Sequence, residues 1–417
     1  MKKKNIVTAL PSNILQVFEL ICHGKTVSKT DLCTALGRNM MYVNRMIAPL
    51  QEKGLIISKG KGASTGGRKP VLYEINPDRF FVGAFNVSST YCEVALLGLD
   101  LHVVFLKHFY MTEQDCPADV LQLIINLFRE GVVASIGEMD FVLGIGLSVF
   151  GSFSLEKGTI NKQVQLYANN AWIGFPVVEY LEKELGKPVV MEKASNASAL
   201  LEYRFGKGRG RKRMLYVLCA MNIRSAVILN GTIMNASDNY DDAFGHMTIN
   251  IDGERCECGN YGCLAVYATI PAIVKSFCSA LKWGRTTTIT KKPEEISFDD
   301  ICDAVRKGDL LAKEVVAHAA AVFGTALANY INLIGPEVVI LSGLTIEKCH
   351  FFYTEAVKVA LTKTKLFRTN SSITFEENGS FEHAITIGAG SIFIEHLFDG
   401  AHEVADVPTE KRKGQEE

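Results

Sequence analysis

Between Cys256 and Cys263 the chain reads Cys-Glu-Cys-Gly-Asn-Tyr-Gly-Cys, three thiols in eight residues, with His246 ten residues before the first of them. Thiolate sulfur and imidazole nitrogen are preferred zinc ligands, and three of one with one of the other fill a tetrahedral shell, leaving no open position for a reactive water. The Gly-Asn-Tyr-Gly stretch is a turn that lets the sulfurs converge. Such a site holds a loop in place and performs no reaction. A buried thiol cluster and a redox pair are the other chemistries open to these residues. Eleven cysteines scattered over 417 residues are not the framework of a short secreted chain, so most are expected to be reduced and buried.

The second chemical signal is charge. The whole chain carries 44 Lys and Arg against 45 Asp and Glu, yet residues 1–80 hold 13 against 5, so the front end is strongly basic and the remainder acidic. A basic block of that size suits a polyanion partner. No run of eighteen apolar residues and no signal-peptide core is present, so the expectation is a cytoplasmic protein without a membrane span.

The basic block must be organised by short elements. Ser12-Asn13 can cap a helix with Ile14, Leu15, Val17, Phe18, Leu20 and Ile21 at helical spacing, stopped by Gly24. Ser28 and Asp31 form a capping-box variant opening a second helix to Gly37. Asn39 can cap a third, with Val43, Met46, Ile47 and Leu50 on one side, expected to kink at Pro49 and end at Gly54. Leu55–Ile75 then reads as strand, Gly-rich basic loop, strand. Together these predict a winged helix-turn-helix whose third helix enters the major groove of double-stranded DNA. Arg38, Asn39, Met41, Tyr42, Asn44 and Arg45 are its candidate base contacts, and Lys59, Lys61, Arg68 and Lys69 on the wing its candidate phosphate or minor-groove contacts. Docking to a protein is the other use of such a module.

Past Pro77 the pattern becomes an α/β series. Phe80–Val87, Tyr91–Leu97 and His102–Leu106 predict a strand meander, followed by a helix over about 118–129 and a buried strand at 141–149. A similar series restarts near residue 213 and includes a long helix over about 310–334.

Several motifs resemble the ROK family of repressors, open reading frames and kinases. They are Gly66-Gly-Arg-Lys-Pro70 on the wing, Gly245-His-Met before the cysteine cluster, Asn332-Leu-Ile-Gly-Pro-Glu-Val-Val-Ile-Leu-Ser-Gly343 and Ile387-Gly-Ala-Gly-Ser-Ile, in the family's order and spacing. The resemblance implies two ribonuclease-H-like lobes, as in actin and sugar kinases, with a ligand cleft between them. The expected division is a winged helix at 1–78, a first lobe at 79–194 plus about 380–398, a second lobe with the zinc site at 195–379, and a disordered tail at 399–417. It also implies a structural zinc at His246, Cys256, Cys258 and Cys263, and a homodimer or homotetramer.

The kinase chemistry of the resembled family is degraded here. Its Asn-Asp-Ala-Asn motif aligns with Lys193-Ala-Ser-Asn196, so the base position is Ala194, which cannot take a proton. In the first phosphate loop Phe85 replaces the carboxylate and Val87 a glycine, and the second, Ala220-Met-Asn-Ile-Arg-Ser-Ala226, lacks every glycine. ATP binding and turnover are therefore expected to be lost. Two sugar-binding glutamates are Ala243 and Ala265. Lys193, Asn196 and His246 remain as candidate ligand contacts, and the Lys193 cation favours an anionic sugar derivative such as a sugar phosphate. The expectation is a repressor of carbohydrate-related genes responding to a ligand in the cleft; an active sugar kinase with an added DNA-binding domain and a ligand-independent repressor are the alternatives.

Overall fold

The computed structural model describes residues 6–24, 26–61, 69–88, 90–112, 114–149, 152–154, 157–162, 170–234, 243–364 and 373–399. Helix α1 (Ser12–Gly24) is capped one residue earlier than expected, because the Pro11 carbonyl accepts from the amides of Ile14 and Leu15. A two-residue strand, β1 (Val27–Ser28), follows. It is too short to leave an alternating pattern in sequence. Ser28 and Asp31 form the capping box of α2 (Lys29–Leu36), with bonds of 3.2 and 2.8 Å, and Gly37 ends that helix at φ 61°. Asn39 caps α3 (Met40–Glu52), whose helical assignment continues through Pro49. Strands β2 (Ile56–Lys61) and β3 (Val71–Ile75) form an antiparallel hairpin, and β1 pairs with the outer side of β3.

Two five-stranded sheets follow, with one topology. In the first, β4 (Phe81–Val87), β5 (Tyr91–Gly98) and β6 (Val103–Tyr110) form an antiparallel meander. After α4 (Pro117–Ser135), which runs six residues past its expected end, β7 (Val142–Val149) returns parallel to β4. A small hairpin of β8 (Ser152–Ser154) and β9 (Thr159–Lys162) and helix α5 (Val177–Leu185) lead to β10 (Val189–Lys193), parallel to β7. Helix α6 (Ala194–Phe205) crosses to the second sheet. There β11 (Arg213–Cys219), β12 (Ile223–Leu229) and β13 (Thr232–Ile233) form the meander. Helices α7 (Ala265–Ala268), α8 (Ile270–Lys282), α9 (Phe298–Arg306) and α10 (Leu310–Ile334) come next, then β14 (Val338–Ser342) parallel to β11. Helices α11 (Leu344–Lys348) and α12 (His350–Thr364), strand β15 (Thr374–Glu377) and helix α13 (Ala384–His396) complete the described chain. The expected tail beyond residue 399 lies outside the described residues.

Helix α10 is, by length and composition alone, apolar enough to cross a membrane. That apolarity has another use here: Leu311, Val316, Phe323, Leu327 and Ile331 fill the core on one side of the second sheet. It packs on α12, where Gly324 leaves room for the Ala356 carbonyl.

Helices α6 and α13 lie between the sheets. Ala197, Ala199, Leu200 and Ile392 pack with Met214, Tyr216, Ile228 and Ile340 of the second sheet. On the other side Gly390 lies against Ala84 and Leu97 of the first sheet, and Gly388 leaves space for the Ala197 carbonyl between the two helices. The N-terminal elements have no separate core: Val17, Phe18, Val43 and Leu50 belong to one cluster with Val82, Leu97, Leu201, Ile394 and Phe398. The change of pattern at Pro77 thus marks a change of element type, while the apolar core continues across it.

Candidate metal centre, cleft and basic face

His246 closes a short 3-10 turn (Ala243–His246), and Gly245 within it leaves no room for a Cβ against the Ile223 carbonyl. The cysteine loop is shaped by its own backbone. The Cys256 amide donates to Asn260 at 2.7 Å, the Gly259 amide donates to Cys256 at 2.9 Å, and isolated bridges join Arg255 to Tyr261 and Thr248 to Cys263. Gly259 (φ 94°) and Gly262 (φ 64°) occupy the left-handed region, and a Cβ on Gly262 would collide with the Asn250 carbonyl.

The four candidate ligand atoms all lie within 4.8 Å of one another. Cys256 Sγ is 3.5 Å from His246 Nδ1, and Cys258 Sγ is 3.7 Å from Cys263 Sγ. Zinc–sulfur bonds of about 2.3 Å and zinc–nitrogen bonds of about 2.0 Å give tetrahedral edges of roughly 3.8 Å (S···S) and 3.5 Å (S···N). The measured edges fit that figure. Among themselves the thiols compete for a single charge: burial, then hydrogen bonding to Cys258, pushes Cys263 up to about 12. For Cys258, burial acts upward but is outweighed by the Asn260 amide and the two neighbouring thiols, which lower it. A divalent cation would relieve that competition, and this donor set suits one.

Away from the cysteine loop in sequence, β10 runs into α6 through Glu192 and Lys193. Glu192 Oε1 accepts from the Lys193 amide at 2.8 Å and from Asn196 Nδ2 at 3.1 Å, so Asn196 is held by the turn that presents it. Lys193 is only 6% exposed. Ala194 is the first residue of α6. The structure thus brings Lys193 and Asn196 to one helix start and places His246 in the metal cluster.

Sequence reasoning missed a polar row beside this start. Glu93, Asn86, Ser148 and Glu192 are register partners on β5, β4, β7 and β10. Glu93, buried, meets His383 Nδ1 at 2.7 Å and accepts from the Thr386 hydroxyl. These residues are far apart in sequence, and only strand register aligns them. Phe85 points to the other face and packs edge-on against Phe128 with centroids 5.0 Å apart, so it is a core residue. The hairpin between β11 and β12 closes through the Ala220 amide on the Asn222 carbonyl at 2.9 Å.

On α3 the expected base contacts form the outer face. Val43, Met46, Ile47 and Leu50 are buried, whereas Arg38, Asn39, Asn44 and Arg45 are exposed and Met41 is 80% exposed. Tyr42 is half-buried, with the Arg38 guanidinium 5.6 Å from its ring centroid. Asn39 spends its carbonyl oxygen on the Tyr42 amide. On the β2–β3 hairpin Lys59 pairs with Glu74 at 2.6 Å, Lys69 is exposed, and Lys61 ends β2. Arg68 lies outside the described residues.

With this geometry in hand, the comparison that decides the family is a match to the ROK family over residues 82–396. The chain belongs to the ROK family. A curated relative, a xylose repressor of Caldicellulosiruptor bescii, is 24% identical over 390 residues, which cover 92% of this chain and 96% of that one. The fold is shared with a solved ROK family transcriptional regulator described as a homolog of the E. coli MLC protein, at TM-score 0.77 and 21% identity, covering 94% of this chain and 97% of the other. It is also shared with a ROK hexokinase from Thermus thermophilus, at TM-score 0.63 and 19% identity, covering 76% of this chain and 100% of that one. The hexokinase fold thus matches about three quarters of this chain, and the regulator nearly all of it.

Proposed function

We propose that this protein is a sugar-responsive transcriptional repressor of the ROK family that binds operator DNA through residues 1–78 and has no kinase activity. One observation carries the reading: the hexokinase fold is matched over its whole length yet leaves about a quarter of this chain over, whereas the xylose repressor relative aligns over nearly all of it. The family match begins at residue 82, after the basic segment, in which Asn44 and Arg45 lie on the outer face of α3 and Arg38 is exposed just before it. In this reading the segment is a winged helix-turn-helix, α3 lies in the major groove, and the exposed Lys69 approaches phosphates on the wing side. Two copies in a homodimer or homotetramer would engage half-sites about one helical turn apart, roughly 34 Å or a multiple.

The body supplies regulation. A sugar derivative, favoured as an anion by the Lys193 ammonium, would enter between the lobes near Asn196 and His246 and bias one lobe arrangement over another. His246, Cys256, Cys258 and Cys263 would hold a structural zinc that pins the loop carrying His246. Ala194 at the base position and Phe85 in the core support the loss of phosphoryl transfer. The test is selection of bound DNA from a random pool by the full-length protein, repeated with a panel of sugars and sugar phosphates. Enrichment of one paired motif, weakened by one class of sugar, is the expected result. ADP release on any sugar of the panel would instead favour the reading of an active kinase with an added DNA-binding segment.

A further inference from the structure

The contact between the N-terminal module and the body is ionic as well as apolar. At the C-terminal end of α1, His23 Nε2 lies 2.6 Å from Glu395 Oε1 on α13. The other carboxylate oxygen of Glu395 receives Arg204 NH2 of α6 at 3.0 Å. Arg209, just past α6, donates to the His23 carbonyl at 3.4 Å. The side chains of His23, Glu395 and Arg204 are each only about a fifth exposed, and the Phe398 ring lies with its centroid 5.7 Å from that of Phe18 and 6.1 Å from that of His23.

The two helices that supply Arg204 and Glu395 are the pair packed between the sheets. Helix α6 (Ala194–Phe205) starts beside the proposed ligand contacts Lys193 and Asn196 and carries Arg204 in its last turn, against the N-terminal module. Its 12 residues, about 18 Å of helix, link the proposed ligand site to the proposed DNA reader. We infer that Arg204, Glu395 and His23 form a latch through which the α6–α13 pair fixes the orientation of the DNA-binding module. Cutting the latch leaves α3 and its contacts intact but frees the angle at which α3 is presented. Glu19 completes, with His23 and Glu395, three groups whose ligand atoms lie within 4.8 Å. The Arg204 guanidinium already places a fixed cation on that carboxylate, so an ion pair accounts for the cluster without a metal.

This inference rests on the repressor reading and deepens it. The test compares full-length wild type with Glu395→Gln, Arg204→Gln and Arg204→Lys on DNA carrying the selected motif as a single half-site, as a pair at the selected spacing, and as a pair with two base pairs inserted. If the latch orients the module, Glu395→Gln and Arg204→Gln bind the single half-site within about twofold of wild type, while their preference for the selected spacing falls at least about tenfold. Arg204→Lys, which keeps the charge, retains most of that preference. Unchanged spacing selectivity in both Gln variants overturns the latch, as does an equal loss on half-site and pair. Hydrogen exchange on the same proteins provides an arm that needs no DNA. Faster exchange over α1 with unchanged β4 and β7 supports the latch, and unchanged α1 exchange overturns it. A wild type that selects no DNA defeats the repressor reading, and the exchange arm still judges the contact.

Discussion

Cys258 is the exposed member of the proposed zinc set, and its thiol is the one held below its usual range. It is therefore the first ligand to titrate and the simplest to remove. Purified protein is expected to contain one zinc per chain by elemental analysis, and Cys258→Ser to lose it with local unfolding of the 246–263 loop. Structural zinc contributes on the order of 10 kcal/mol to small sites, but here the loop also packs through Cys256, Cys263 and Phe244, all buried. The sheets should therefore survive metal removal, as judged by far-UV circular dichroism, while exchange in the loop accelerates. The proposed DNA contacts divide at the same scale. If Arg45 reads a guanine, Arg45→Ala costs about 1–3 kcal/mol at that base pair and relaxes selection there alone, whereas Lys69→Ala weakens all sequences alike and flattens the salt dependence. Binding measured on single-base operator variants at two salt concentrations separates them.

Elements were legible in sequence where local chemistry announces them. Ser28 with Asp31, Asn39 and Gly37 are caps with a mechanism: α2 begins and ends on them, and α3 begins on Asn39. Strand β1, the polar row from Glu93 to Glu192 and the His23–Glu395 pair were not legible, because each depends on partners brought together by register or by packing. The candidate metal ligands, which the structure brings together, were legible for the opposite reason: three of the four lie on one tight loop. Asp309 shows how much one cap can do for a long element. Its carboxylate accepts from the Ala312 amide at 2.8 Å and the Thr288 amide at 2.6 Å, and from the hydroxyls of Thr287 and Thr288, tying the 287–289 segment to the start of α10. Burial acts to raise its pKa, but these four bonds more than reverse that and hold it at about 2 against an ordinary 3.8. The folded value is depressed, so the stabilisation is present above the ordinary value and disappears as pH falls towards about 2. Asp309→Ala is expected to destabilise the protein by about 1–2 kcal/mol at neutral pH. The gap from wild type should close between about pH 4 and pH 2 in denaturant titrations.

At the scale of the molecule, the continuous core across Pro77 governs how the chain unfolds. Phe18, Val17 and Leu15 of α1 share a cluster with Phe80, Leu97, Ile394 and Phe398 of the body, and Phe18 and Phe398 meet edge-on. Deleting residues 1–78 would uncover part of that shared cluster on the body side. Each fully buried aromatic or aliphatic side chain so exposed forfeits about 1.5–3 kcal/mol of burial. The truncated body is therefore expected to melt below the full chain and to self-associate, even though hexokinases of the same fold stand without such a segment. Phe18→Ala tests the same contact without truncation. It should cost about 3–5 kcal/mol, and it should lower protection in β4 and α13 as well as in α1, because those elements share the core that loses the ring. Calorimetry of the wild type should accordingly show the N-terminal module melting together with the first sheet. A separate low-temperature transition confined to residues 6–75, with β4 and α13 unaffected by Phe18→Ala, would instead establish a module that is merely tethered.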